Sequence, residues 1–182
     1  MKYEDFFYSN IQIRSDFESK ITSAFDKLNN KWANWPQGQT IMYDPTNESY
    51  SLEMIDNPVI DSHTTLFKDC YTFLEQGIPL PASLEATIRF LKLPAGAALG
   101  GHYDNPKCAI IFHLNDSDPL SFYDETNSKI FESSYKFALI NTSIKHGVEA
   151  VSTDRVWFKI SISRFSYFQM RELLYLRGLL TL

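Results

Sequence analysis

The chain has 182 residues, 44% of them apolar, with 17 basic against 22 acidic side chains and a net charge of −5. This length and apolar content suit one well-buried core rather than two domains, and the acidic balance leaves no electrostatic footprint for the phosphate backbone of a nucleic acid. Cys70 and Cys108 alone cannot build a disulfide framework, no apolar run reaches membrane-spanning length, and Met1 to Phe7 lacks an apolar signal-peptide core, so the expectation is a cytoplasmic protein of a reducing compartment with neither membrane nor nucleic acid as partner.

In chain order, residues 15–32 place Phe17, Ile21, Phe25 and Leu28 at spacings of four, four and three after a Ser15-x-x-Glu18 capping box, which predicts an amphipathic helix. Trp35-Pro36-Gln37-Gly38 and Asp44-Pro45-Thr46-Asn47 mark turns around short extended pieces at 40–43 and 50–54. A second helical stripe at 61–76, with Leu66, Cys70, Phe73 and Leu74, closes at Gly77 and Pro79. From about residue 84 the pattern changes to short β-rich runs at 86–93, 108–114, 120–123, 137–141, 147–151 and 156–163. Helix returns at 168–180, with Met170, Leu173, Leu174 and Leu180 as its apolar side. The expected architecture is mainly β with flanking helices, a jelly-roll or cupin-like core. It is a single domain over 1–182, with N-terminal helices and short strands in 1–83, the core in 84–165 and a C-terminal helix in 166–182.

Chemistry concentrates in that core. His102-Tyr103-Asp104 is followed 44 residues after His102 by His146-Gly147-Val148, and then by Arg155. Two histidines and one carboxylate are the ligand set that holds Fe(II) on one face and leaves the other positions open. Residues i and i+2 of an extended chain point the same way, so His102 and Asp104 can reach one ion, and Pro106 biases Asn105 towards that extended region. His146 must come from another strand, because three ligands in a row cannot make a triangular face. Taken alone, His102 and Asp104 also read as a surface turn pair. Tyr103 and Asn105 either line an entrance or belong to an exposed turn. The glycines of 93–101 either bring backbone close to the site or form a plain loop.

Ser152-Thr153-Asp154 reads as a hairpin turn that returns Arg155 to the barrel, where its planar fork would grip a carboxylate. The run from Arg155 alternates Arg155, Trp157, Lys159, Ser161 and Ser163 with Val156, Phe158, Ile160 and Ile162. Its polar face meets either water or a charged ligand, and Lys159 or Arg164 could take the role of Arg155. His113 lies in an apolar run, either as a core residue or as a ligand contact. His63 has no assigned role, and Trp32, Trp35, Tyr43 and Tyr50 read as packing residues or a substrate platform.

His102-Tyr103-Asp104-Asn105-Pro106, the run from Cys108 to Asn115, and His146-Gly147-Val148 through Arg155 resemble the Fe(II)/2-oxoglutarate-dependent dioxygenases. Within that superfamily the aspartyl/asparaginyl β-hydroxylase and prolyl hydroxylase groups are most similar, over roughly residues 87 to 163. The resemblance implies a double-stranded β-helix, with His102, Asp104 and His146 as iron ligands, Arg155 on the distal carboxylate of 2-oxoglutarate and His113 touching that cosubstrate. It further implies hydroxylation of an amino-acid side chain, in a peptide or protein or as a small molecule, with O2 consumed and succinate and CO2 released. Asp104 departs from the aspartyl hydroxylases, which lack the carboxylate. It also fills the place that halogenating relatives leave small, so hydroxylation is expected rather than halogenation. Ile110, Ile111 and Phe112 would supply a dry wall. The alternatives are a non-catalytic cupin-like module that binds a metal or small molecule, a purely structural jelly-roll, and a nucleobase demethylase, against which the charge argues.

Overall fold

A computed structural model describes residues 3–9, 11, 15–28, 32–34, 53–55, 86–115 and 118–180. The second predicted helix, the two turns at 35–38 and 44–47, the piece at 40–43 and residues Tyr43, Tyr50, His63 and Cys70 lie outside them. Eleven strands are described: β1 (Phe7–Tyr8), β2 (Ala33–Asn34), β3 (Glu53–Ile55), β4 (Ala86–Leu93), β5 (Leu99–His102), β6 (Cys108–His113), β7 (Leu120–Tyr123), β8 (Lys129–Ser133), β9 (Phe137–Ile140), β10 (His146–Val148) and β11 (Arg155–Ile162). Helix α1 spans Ser15–Leu28 and helix α2 spans Tyr167–Leu176. Among the described helices none is long and apolar enough to cross a membrane.

All pairings are antiparallel, in a seven-stranded sheet of order β1-β9-β6-β11-β4-β3-β2 and a four-stranded sheet of order β5-β10-β7-β8. The two sheets form a jelly-roll, the expected fold class. Between them pack Leu91, Leu93, Ala109, Ile111, Ala138, Ile140 and Trp157 of the large sheet, against Leu99, Leu120, Phe122 and Val148 of the small one. The outer face of the large sheet, with Phe90, Ile110, Phe112, Phe158 and Ile160, is covered by Phe17, Ile21, Ala24 and Leu28 of α1 and by Met170 and Leu174 of α2. Each fully buried Ile, Leu or Phe contributes about 1.5–3 kcal/mol relative to exposure, which is why the helical stripe read from the sequence docks here. A capping box opens α2, in which the Gln169 N–H donates to the Ser166 hydroxyl and the Ser166 N–H donates to the Gln169 side-chain oxygen.

Strand β11 explains the position of the site. Its apolar residues Phe158, Ile160 and Ile162 face the helices, so its other face, with Arg155, Trp157, Lys159 and Ser161, turns inward between the sheets. The alternation therefore does not mark a solvated strand: both faces are covered, one by helices and one by the opposing sheet. Of Ile110, Ile111 and Phe112, only Ile111 belongs to the inner cluster. Two further expectations are corrected. The turn at 152–154 does not close a hairpin, since β10 and β11 lie in different sheets; the chain crosses between sheets there, held by Gly96 N–H donating to the Val151 carbonyl at 2.8 Å. The last part of the glycine-containing stretch 93–101, from Leu99, is strand β5, while 94–98 form the expected loop.

Candidate metal centre

His102 ends β5 and His146 begins β10, and the two stand directly opposite each other in the antiparallel pairing. Both rings are buried, with centroids 4.6 Å apart. Each Nδ1 lies 2.8 Å from the backbone carbonyl two residues earlier, Gly100 for His102 and Ile144 for His146. A carbonyl only accepts, so Nδ1 carries the proton, and in the neutral ring Nε2 keeps a bare lone pair. Both Nε2 atoms face Asp104, at 3.5 Å from Oδ1 for His102 and 3.7 Å from Oδ2 for His146. The three ligand atoms lie within 4.8 Å of one another. They share one polarity, since each offers a lone pair, and burial together with the neighbouring His102 pushes the pKa of His146 down, away from the charged form that could donate to Asp104. A divalent cation is what such a donor set fits: it would satisfy all three atoms at once, and the Nδ1–carbonyl bonds supply the outer contacts that fix ring orientation.

Burial opposes ionisation of Asp104, but the Lys159 ammonium 2.5 Å from Oδ2 holds its carboxyl well below the usual carboxylate range. Asp104 lies just past the end of β5 and is fixed by its N–H donating to the Thr142 carbonyl at 3.1 Å. The Thr142 hydroxyl in turn donates to the Pro106 carbonyl at 2.5 Å. Gly147 makes the histidine pairing possible: a Cβ there would lie 2.6 Å from the Leu99 carbonyl oxygen and 3.0 Å from the Gly100 carbonyl carbon. Beside the ligands, Tyr103 is half-buried, with its hydroxyl 3.3 Å from the Glu125 carboxylate on the β7–β8 turn, and Asn105 is exposed.

Arg155 and His113 come together elsewhere on the inner face. Arg155 is buried; one of its nitrogens donates to the Asp118 carbonyl at 2.6 Å and the other lies 3.2 Å from His113 Nε2. Burial and the adjacent guanidinium push the His113 pKa down to about 2, so His113 is neutral. Its ring packs edge-on against Tyr135, with centroids 4.8 Å apart. The Tyr135 hydroxyl is close enough to feel the Arg155 charge, although burial dominates and pushes its pKa up to about 12. It faces the guanidinium without full hydrogen-bond geometry. Three buried polar atoms in this cluster lack a partner: Tyr135 Oη, Arg155 Nε and His113 Nδ1. Unpaired buried donors are costly and uncommon, and a group of three around one guanidinium is the chemistry of an anion site.

The structure thus brings His102, Asp104 and His146 into one cluster and Arg155 and His113 into another, and leaves Arg164 exposed. Lys159, one candidate for the role of Arg155, belongs to the first cluster through Asp104. Tyr135 was not singled out from the sequence. It follows two serines in the turn before β9 and carries no motif; only its missing hydrogen-bond partner marks it.

No protein-family model and no curated protein sequence matches the chain. Solved structures share its fold. The prolyl-4-hydroxylase of Pseudomonas putida aligns with a TM-score of 0.52 at 11% identity, over 87% of this chain and 91% of that one. A prolyl hydroxylase from Trichoplax adhaerens, in complex with a peptide fragment of the hypoxia inducible factor oxygen degradation domain, aligns with a TM-score of 0.56 at 12% identity, over 92% of this chain and 85% of that one. A full-length protein of Neurospora crassa, in complex with alpha-KG (2-oxoglutarate) and 5-formyluracil, aligns with a TM-score of 0.51 at 14% identity, over 86% of this chain and 73% of that one. What the chain shares with them is the jelly-roll fold.

Proposed function

We propose that this single-domain chain is an Fe(II)- and 2-oxoglutarate-dependent dioxygenase that hydroxylates an amino-acid side chain, in a peptide or protein or as a small molecule. The observation that carries the reading is the convergence of three lone-pair donors, His102 Nε2, His146 Nε2 and the Asp104 carboxylate, within 4.8 Å. A second cluster lined by Arg155 then offers a carboxylate site on the same inner surface. His102, Asp104 and His146 would hold the metal. Bound there with 2-oxoglutarate, iron supplies the O2-dependent oxidation of a C–H bond, with the cosubstrate leaving as succinate and CO2.

The remaining roles fall to the chain. Arg155, with Nε and its planar fork, grips the distal carboxylate of the cosubstrate, and Tyr135 donates its hydroxyl to the same group. His113, neutral and with Nδ1 unpaired, adds a third contact. The apolar surroundings Leu93, Ile111 and Trp157 exclude water and so strengthen each of these contacts. Because the fold neighbours include one that holds a peptide and one that holds a nucleobase, fold alone does not select the substrate. The choice of an amino-acid side chain rests on the motif resemblance and on the acidic balance of the chain.

The test is an anaerobic titration with Fe(II) and 2-oxoglutarate, following the charge-transfer absorption of the chelate. A band that needs both additions and vanishes in His102→Ala is the expected result. Absence of the band from folded wild-type protein sinks the oxygenase reading and leaves a binding or structural jelly-roll.

A further inference from the structure

Lys159 has no part in the roles assigned above, yet it is the only described cation that touches the candidate metal ligands. It projects from the inner face of β11, between Trp157 and Ser161, and its cross-strand neighbours are Arg89 and Ile111. Its side chain is 15% exposed and that of Asp104 is 11%, so the pair is largely withdrawn from water. The ammonium is 2.5 Å from Asp104 Oδ2, and among the described residues Asp104 is its only ion-pair partner. The two carboxylate oxygens are therefore not equivalent. Oδ2 is taken by Lys159, whereas Oδ1 lies 3.5 Å from His102 Nε2, a fellow lone-pair atom, and has no donor among the described residues.

We infer that Lys159 is a positioning residue that restrains Asp104 to one-oxygen ligation by holding Oδ2 in a charge-assisted hydrogen bond; the inference rests on the metal-site reading above. The consequence is a matter of counting positions. A carboxylate that grips a six-coordinate ion with both oxygens occupies two positions, and with two imidazoles leaves two open. One that grips with a single oxygen leaves three open, enough for a two-point chelating ligand and one further small molecule. Lysine suits the task because its ammonium is a compact point charge on a long stem, able to reach across the sheet interior to one oxygen.

Mn(II) alone is the probe, with bound water counted by electron paramagnetic resonance line broadening in 17O-enriched water. Wild type should hold three exchangeable waters on the ion, Lys159→Met two, and Lys159→Arg, which restores a cationic donor, three again. Anaerobic 2-oxoglutarate should still give its chelate absorption with Fe(II) in Lys159→Met, because two positions remain, while reaction of that complex with O2 slows ~10–100-fold, the usual range for loss of an outer contact. If Lys159→Met does not fold, Lys159→Leu, which likewise offers no hydrogen-bond donor, takes its place. Three waters in the folded, metal-bound Met or Leu variant overturn the role of Lys159 and leave the metal site standing. No Mn(II) bound by folded wild type overturns both.

Discussion

The inner face of β11 carries two polar clusters that differ in one respect. Around Lys159 the charges are matched: the ammonium has Asp104, Asp104 has Lys159, and each imidazole has a carbonyl on Nδ1. What is left over there is a set of lone pairs. Around Arg155 the leftover groups are mainly donors, with Tyr135 Oη, Arg155 Nε and His113 Nδ1 all buried and unpaired. One cluster calls for a cation and the other for an anion. A buried polar group without a partner costs about 1–3 kcal/mol, so both costs persist only where something outside the chain relieves them. On the proposed function, a ligand carrying a carboxylate, bound together with a divalent metal, would relieve both.

The most direct way to break this contrast is to cross the two clusters. His146→Ala should weaken Fe(II) binding ~100-fold or more, since loss of a ligand exceeds the 10–100-fold typical of an outer contact. Arg155→Met should leave the metal affinity unchanged and raise the 2-oxoglutarate Kd ~100-fold, as loss of a bidentate charged pair does. Calorimetric titration of each variant with metal and then cosubstrate separates the effects, and equal losses of both ligands in both variants would merge the clusters into one.

A second variant sharpens the geometry of the cation cluster alone. Gly147→Ala puts a Cβ 2.6 Å from the Leu99 carbonyl oxygen, a backbone atom that cannot rotate aside. It should cost about 1–3 kcal/mol in a denaturant midpoint and loosen the metal more than the cosubstrate.

Smaller effects belong to the anion cluster. Tyr135→Phe removes a hydroxyl that has no partner in the chain, so stability without ligand should hold or rise, while 2-oxoglutarate binding weakens ~10-fold. A loss of stability instead would assign Tyr135 a purely packing role. His113 supplies the smallest and most specific signature. Its native pKa of about 2 lies below the unfolded value of 6.5, so in the window between them the unfolded chain takes up a proton that the native one refuses. Stability therefore falls as pH drops below 6.5 and is unaffected by this group above it. Between pH 7 and pH 5.5 wild type should lose about 1 kcal/mol more than His113→Leu, read from denaturant curves at the two pH values.

How far the residues announced all this varies along the chain. The convergence of His102, Asp104 and His146 was legible because two histidines and a carboxylate stood in strand-compatible spacing. Strands β4 and β7 were read at their true limits, since their runs of apolar residues have turn residues or glycine nearby. Strand β5 was not, because Leu99-Gly100-Gly101-His102 offers two glycines where a strand would show side-chain alternation. Nor was β8, an edge strand whose residues are exposed or half-buried and so bear no burial pattern. The alternation of β11 revealed two faces but not which one met the helices, a question of which sheet lies opposite. Turn chemistry at 152–154 looks the same whether the chain folds back on its own sheet or crosses to the other. Tyr135 left no trace, because a missing partner is a property of packing and not of spacing.

One feature of the small sheet links its chemistry to its mechanics. Among the described strands β5 is outermost, bonded to β10, and at its end His102 faces His146 across the pair. An ion gripped by both would act as a rivet through the seam, fastening a strand that otherwise hangs by a few backbone bonds. Occupancy would then be written into the amide-exchange rates of residues 99–102, which slow as the rivet closes and quicken as a chelator draws it out.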